Sequence, residues 1–229
     1  MTTSGTTAFN PDQVNLIEEA CAIAGFEART GYDLRSSRFA LNMLLAEWAN
    51  RGINLWTVKQ ELLTLIAGTE RYTLPADCVD LFDVAIRTNS GDVSLQSDFR
   101  ITRISLPNYI TMPNKLSPGR PLQYVVDRQI APTITLWPVP DDSQTYILYY
   151  YYLRRLQDAG TSASLTQDVP FRFYPALLAG LAYYMSLRKP ELASRVPMLK
   201  TYYDEQFMMA QDEDREKATV RLVPFISRV

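Results

Sequence analysis

Three observations predict an α+β protein. Apolar residues recur at helical spacing near the start of the chain and again near its end, while the stretch between them alternates and is cut by turn residues at short intervals. A lone helical hairpin cannot bury its apolar stripe, so the N- and C-terminal helix pairs are expected to pack as a four-helix body, with an antiparallel β region inserted between them. The boundaries this suggests are residues 1–54 and 167–218 for the helical body, 55–166 for the β domain, and 219–229 for an extended tail.

The first helix is expected to start at Asn10, before Pro11, with Gln13 placed to bond back as in a capping box. Val14, Ile17, Cys21 and Ala24 then share a face, and Gly25 ends it. A second helix runs from about Tyr32 to Asn50, striped by Leu34, Leu41, Leu44, Leu45 and Trp48, with Gly52 as its stop. Strands follow near 58–66, 72–74, 79–87, 122–127, 133–137 and 144–153, and Ser105 with Pro107 marks a short helix among them. After a polar linker at 157–166, Asp168 and Pro170 resemble a helix cap and first turn, and Pro175 kinks or delays that helix. Ala176, Ala179, Gly180 and Ala182 leave room on it for a close neighbour. The last helix starts at Pro190, is disturbed at Pro197, and aligns Leu199, Tyr203 and Phe207 before a charged run, 211–217, that reads as a solvated helix end.

Composition removes several function classes. The chain has no histidine, and with it go the commonest general base, the usual zinc ligand and the Ser-His and Cys-His nucleophiles. Its net charge of −2 argues against tight non-specific binding to nucleic acid, which depends on clustered Lys and Arg. Cys21 and Cys78 sit in apolar patterns and read as buried thiols. The acidic groupings, Glu18 with Glu19, Asp141 with Asp142, and Asp212 with Glu213 and Asp214, read as helix surface or turns rather than acid–base pairs. No glycine-rich phosphate loop, nucleophile elbow or calcium-loop spacing occurs, so no catalytic, cofactor or metal residues are assigned. The N-terminal ten residues lack a basic region and an apolar core and read as an arm rather than a leader. No apolar stretch reaches the roughly 20 residues of a membrane span.

What remains is a surface made for contact. Tyr149, Tyr150, Tyr151 and Tyr152 follow one another on a strand, so Tyr149 and Tyr151 face one way and Tyr150 and Tyr152 the other. Tyrosine tolerates a half-wet setting and is enriched at protein interfaces. One reading puts one face on the protein's own core and the other, with nearby Trp137, against a neighbouring subunit. The other reading divides all four tyrosines between a sandwich core and its rim. A third use, stacking of single-stranded bases on Tyr150, Tyr152, Arg154 and Arg155, would make the chain a nucleic-acid-binding module. The C-terminus carries Arg221, Leu222, Val223, Phe225, Ile226 and Val229 with nothing beyond to cover them, which suits a docking segment.

The ordered set "ALNMLLAEWANRGINLWTV" (40–58), "GTERYTLPADCVDL" (68–81), "NKLSPGRPLQYVVDR" (114–128) and "ITLWPVPDDSQTYILYYYY" (134–152) resembles the head-to-tail adaptor proteins of short-tailed bacteriophages, also called tail accessory factors or tail tubular proteins. The resemblance implies a virion protein, assembled in the host cytoplasm, that forms a ring of twelve copies beneath the portal. DNA would pass through its bore without specific binding, and a distal nozzle or hub protein would attach below. It implies no enzyme activity, cofactor or membrane association. It also implies that the C-terminal extension reaches the portal, which maps onto residues 219–229. A tail-completion or terminator protein is the alternative virion role.

Overall fold

The computed structural model describes residues 3–27, 31–51, 55–162 and 164–214. The protein is α+β, with five α-helices and two four-stranded sheets among the described residues. It divides into two compact units, one built from the chain's two ends, up to Leu55 and from Gln157 onward, the other spanning Trp56–Leu156. Gly52 and the C-terminal segment 219–229, with Arg221, Leu222, Val223, Phe225, Ile226 and Val229, lie outside the described residues.

The first unit holds α1 (Gln13–Ala24), α2 (Gly31–Arg51), α4 (Tyr174–Ser186) and α5 (Val196–Glu213). α1 begins later than Asn10. Asp12 is its cap, with a side-chain oxygen accepting from the Asn15 N–H at 2.8 Å, and Asn10 instead accepts from the Tyr174 hydroxyl. Gly25 closes α1 at φ 98°, and its N–H reaches the Cys21 and Ala22 carbonyls. The left-handed backbone is what requires glycine; a Cβ there would also lie 1.9 Å from the Arg195 guanidinium, the mobile end of a side chain that could swing aside.

α4 is the most apolar element and packs on α1, α2 and α5. Its small residues Ala176, Ala179 and Ala182 are fully buried, and a Cβ on Gly180 would meet Leu44 and Tyr203 side-chain carbons at 2.9 Å. Pro175 sits in its first turn, where no N–H is needed, after a 3-10 turn at Phe171–Phe173. Pro197 plays the same part in α5, which follows the 3-10 segment Pro190–Arg195. Trp48, Phe173 and Phe207 meet at ring-centroid distances between 5.4 and 6.4 Å. Trp48 Nε1 donates to the Tyr203 hydroxyl at 2.9 Å, and that hydroxyl donates to Glu47, satisfying the polar ends of two buried rings.

Two polar stretches are anchored at single residues, while most of their described positions stay exposed. The linker 157–166 is tied down by Gln13 Nε2 donating to the Ala159 carbonyl at 3.1 Å and by the Ala159 N–H donating to Asn42 at 2.8 Å. Asp214, in the charged run at the end of α5, is 4% exposed and forms an ion pair with Arg172. Leu34 departs the other way, leaving the α2 stripe for the surface.

The second unit contains β1 (Val58–Thr64), β2 (Arg71–Thr73), β3 (Cys78–Thr88), β4 (Ser97–Arg100), β5 (Thr102–Arg103), α3 (Leu106–Ile110), β6 (Gln123–Asp127), β7 (Thr133–Trp137) and β8 (Ile147–Arg154). One sheet runs β1-β8-β3-β4 and is antiparallel throughout. The other runs β2-β7-β6-β5, and its short β5 joins β6 in parallel, a departure from the all-antiparallel expectation. Tyr72, Tyr124, Ile134 and Leu136 of one sheet share a core with Leu81, Val84, Ile86, Leu148, Tyr150 and Tyr152 of the other. Ser105 caps α3 by accepting from the Asn108 N–H.

Candidate interaction surface

β8 is a central strand, paired with β1 on one side and β3 on the other. Directly opposed residues of neighbouring strands point to the same face. Lys59, Glu61 and Leu63 of β1 therefore share a face with Tyr152, Tyr150 and Leu148, as do Leu81, Val84 and Ile86 of β3. That face is the inner one. Tyr150 and Tyr152 are 2% and 0% exposed, with ring centroids 5.9 Å apart.

The inner pair lies among groups that hold it protonated. Burial pushes the Tyr152 hydroxyl up to about 12, with the Asp77 and Glu61 carboxylates adding to the shift. Tyr150 is raised by the same causes, burial first and Glu61 next. The Cys78 thiol, buried and beside Asp80, Asp77 and Glu61, is pushed up to about 11, so it is a thiol and not a thiolate near neutral pH. Cys21 and Cys78 are both free and buried.

Tyr149 and Tyr151 stand on the opposite face. Their rings meet edge to face at 5.6 Å and their hydroxyls lie 2.9 Å apart, a hydrogen bond that raises the Tyr149 pKa. The Arg87 guanidinium lies 4.6 Å over the Tyr149 ring and is held there by Asp98, through bonds of 2.8 and 2.7 Å to its two carboxylate oxygens. Register places Leu62 beside Tyr149 and Gln60 beside Tyr151. Leu62 is 50% exposed and Tyr151 37%. Phe82 and Asp83, carried out of the ladder by the irregularity between Leu81 and Val84, are also exposed, and Asp83 pairs with Arg100 on β4. The result is an aromatic and aliphatic patch edged by paired charges, the composition of a protein-binding surface rather than of a reaction site.

The residues singled out by sequence thus separate into groups. Tyr149, half-buried, and Tyr151, exposed, form the outward pair. Tyr150 and Tyr152, assigned to the interface and alternatively to a base-stacking platform with Arg154 and Arg155, are instead core residues, because β1 and β3 set the register that turns them inward. The stacking set is not assembled on one surface. Trp137 lies at the end of β7 in the other sheet, half-buried, its Nε1 donating to the Asn114 carbonyl at 2.9 Å. Leu62, Phe82, Arg87 and Asp98 are additions from the structure. Their membership depends on cross-strand register, which no local pattern carries.

Among the described residues, no three Cys, Asp or Glu side chains converge as a metal site, and no helix is long and apolar enough to cross a membrane. Asp141, one of the acidic turn residues, accepts from the Ser143 hydroxyl and N–H and from the Tyr146 hydroxyl, which lowers its pKa and fixes it as a turn brace.

No curated protein matches the chain. A family model described as SU10 adaptor protein matches residues 23–224, a span that takes in both units and well over half of the chain. The chain belongs to the SU10 adaptor protein family and is a structural adaptor of the bacteriophage virion.

Proposed function

We propose that this protein is the head-to-tail adaptor that joins the portal to the distal tail. Family membership over residues 23–224 carries the reading. In it, α1, α2, α4 and α5 form a four-helix body, the β unit is a domain inserted in the chain between its two helix pairs, and copies assemble as a dodecameric ring whose bore is part of the DNA channel. An overall charge of −2 suits a conduit that lets genomic DNA pass without holding it. The tail, with Arg221, Leu222, Val223, Phe225, Ile226 and Val229, binds the portal. The Tyr149–Tyr151 face, with Trp137 as a separate contact, serves subunit packing or the distal nozzle or hub. Assembly takes place in the host cytoplasm, and the ring is neither an enzyme nor a membrane component.

The supporting observation from the structure is the division of labour along β8, where two tyrosines fill the core and two remain outside it beside Leu62. Sedimentation velocity of the protein mixed with the portal protein of the same genome, with and without the residues after Ala218, tests the reading. The portal boundary should gain a ring's worth of mass with the intact chain and none with the truncated one. An unchanged boundary with the intact chain removes the portal-joining role, and equal loading by both removes the tail assignment.

A further inference from the structure

The first unit has a groove of about 1320 Å³ with no occupant among the described residues. One wall is the N-terminal arm, where the Phe9 ring meets Tyr174 edge-on at 6.2 Å and Asn10 accepts from the Tyr174 hydroxyl. The other wall is apolar, formed by Phe171, Pro175 and Leu178, with Tyr202 of α5 beside it. Phe9 and Phe171 are 78% and 76% exposed, large apolar rings with little of their own unit covering them. Glu18 and Glu19, both exposed on α1, give the rim a negative edge.

From this geometry we infer that the groove is the seat of the chain's own C-terminal tail, residues 219–229, before the tail engages a partner. The position where the described chain ends supports the assignment. Asp214 closes α5 and is held by Arg172, whose neighbour in sequence, Phe171, lines the groove. Fifteen residues follow Asp214, and an extended chain of that length reaches about 50 Å, more than the length of α5. Charge supports it too. The segment carries Arg215, Lys217, Arg221 and Arg228 against Glu216 alone, opposite in sign to the Glu18 and Glu19 rim. Its apolar residues, Leu222, Val223, Phe225 and Ile226, match the apolar wall, and Pro224 favours the extended backbone that lies along a groove. A tail parked in this way is shielded from non-specific association, and a partner that binds it must first displace it, which sets a threshold for assembly.

The proposal concerns the protein alone, so it stands or falls separately from the portal-binding reading. Both native cysteines are buried, so Ser227→Cys in the full chain supplies a selective handle for a benzophenone–maleimide photo-crosslinker, with the unsubstituted protein as the labelling control. Irradiation of the labelled monomer should give intramolecular products mapping to the peptides that contain Phe9, Phe171 and Leu178. Introducing Glu18→Lys with Glu19→Lys on the exposed side of α1 should cut that yield on the order of tenfold. Crosslinks confined to other surfaces, a yield indifferent to the charge reversal, or crosslinked dimers in place of intramolecular products would each overturn it, the last by giving the groove to a second copy's tail.

Discussion

The two faces of β8 carry the same residue type and do different work. Tyr150 and Tyr152 have their rings inside the sandwich, where burial holds their hydroxyls protonated; Tyr149 and Tyr151 present theirs outward, braced by each other and by Arg87. What separates them is the register with β1 and β3, since a slip of one residue would exchange the pairs. A run of identical residues on a strand is thus two populations, and only the outer one is free to meet a partner.

The comparison breaks most visibly if the inner pair is not structural. Tyr152→Ala should cost about 3–5 kcal/mol, the range for emptying a buried aromatic site, read as a shift in the denaturant midpoint. A loss below about 1 kcal/mol would return Tyr152 to the surface. Alkaline titration sharpens the contrast. The folded state raises the Tyr152 hydroxyl from 10.0 to about 12 and the Cys78 thiol from 9.0 to about 11. Both groups contribute stability fully below their unfolded values and lose it as pH rises through the folded ones, so the melting temperature should fall between pH 9 and 12. Tyr152→Phe should flatten the upper part of that fall. Tyr149→Ser with Tyr151→Ser should leave most of it in place, because the inner groups are intact, and remove only the share of the raised Tyr149 hydroxyl. On stability at neutral pH the same outer double variant should cost under about 1 kcal/mol, checked by thermal melting. Arg87→Ala should have a smaller effect still, within about 0.5 kcal/mol, since its pair with Asp98 lies at the surface with both side chains partly exposed.

Much of the architecture is legible in the sequence because it rests on period. Leu41, Leu44, Leu45 and Trp48, or Leu199, Tyr203 and Phe207, announce buried helix faces wherever they are read, and all seven are buried. The α+β class follows from the change of period near Val58. What escapes depends on contacts far along the chain. Asn10 and Asp12 are equally good caps by type, and only the partner Tyr174, 164 residues away, takes Asn10 for another purpose. β4, exposed at all four positions, has no alternation to detect and exists because it pairs with Ala85 to Thr88. Asp214 reads as solvent-facing among its charged neighbours, yet Arg172 draws it inside. For the candidate site, side-chain parity paired the tyrosines correctly, but the choice of inner face needed the β1 and β3 registers. The Leu62, Phe82 and Arg87 surroundings needed them as well.

Family membership carries the adaptor role, and what the structure adds to it is the outer tyrosine face as a surface used in assembly. The decisive measurement is sedimentation velocity of the portal protein mixed with the Tyr149→Ser, Tyr151→Ser variant, beside the unmodified chain at the same concentration. The unmodified chain should add a ring's mass to the portal boundary, while the variant, equally folded by its melting curve, should add little. A variant that loads the portal as fully as the unmodified chain would contradict the use of this face in subunit packing and leave it only the distal nozzle or hub.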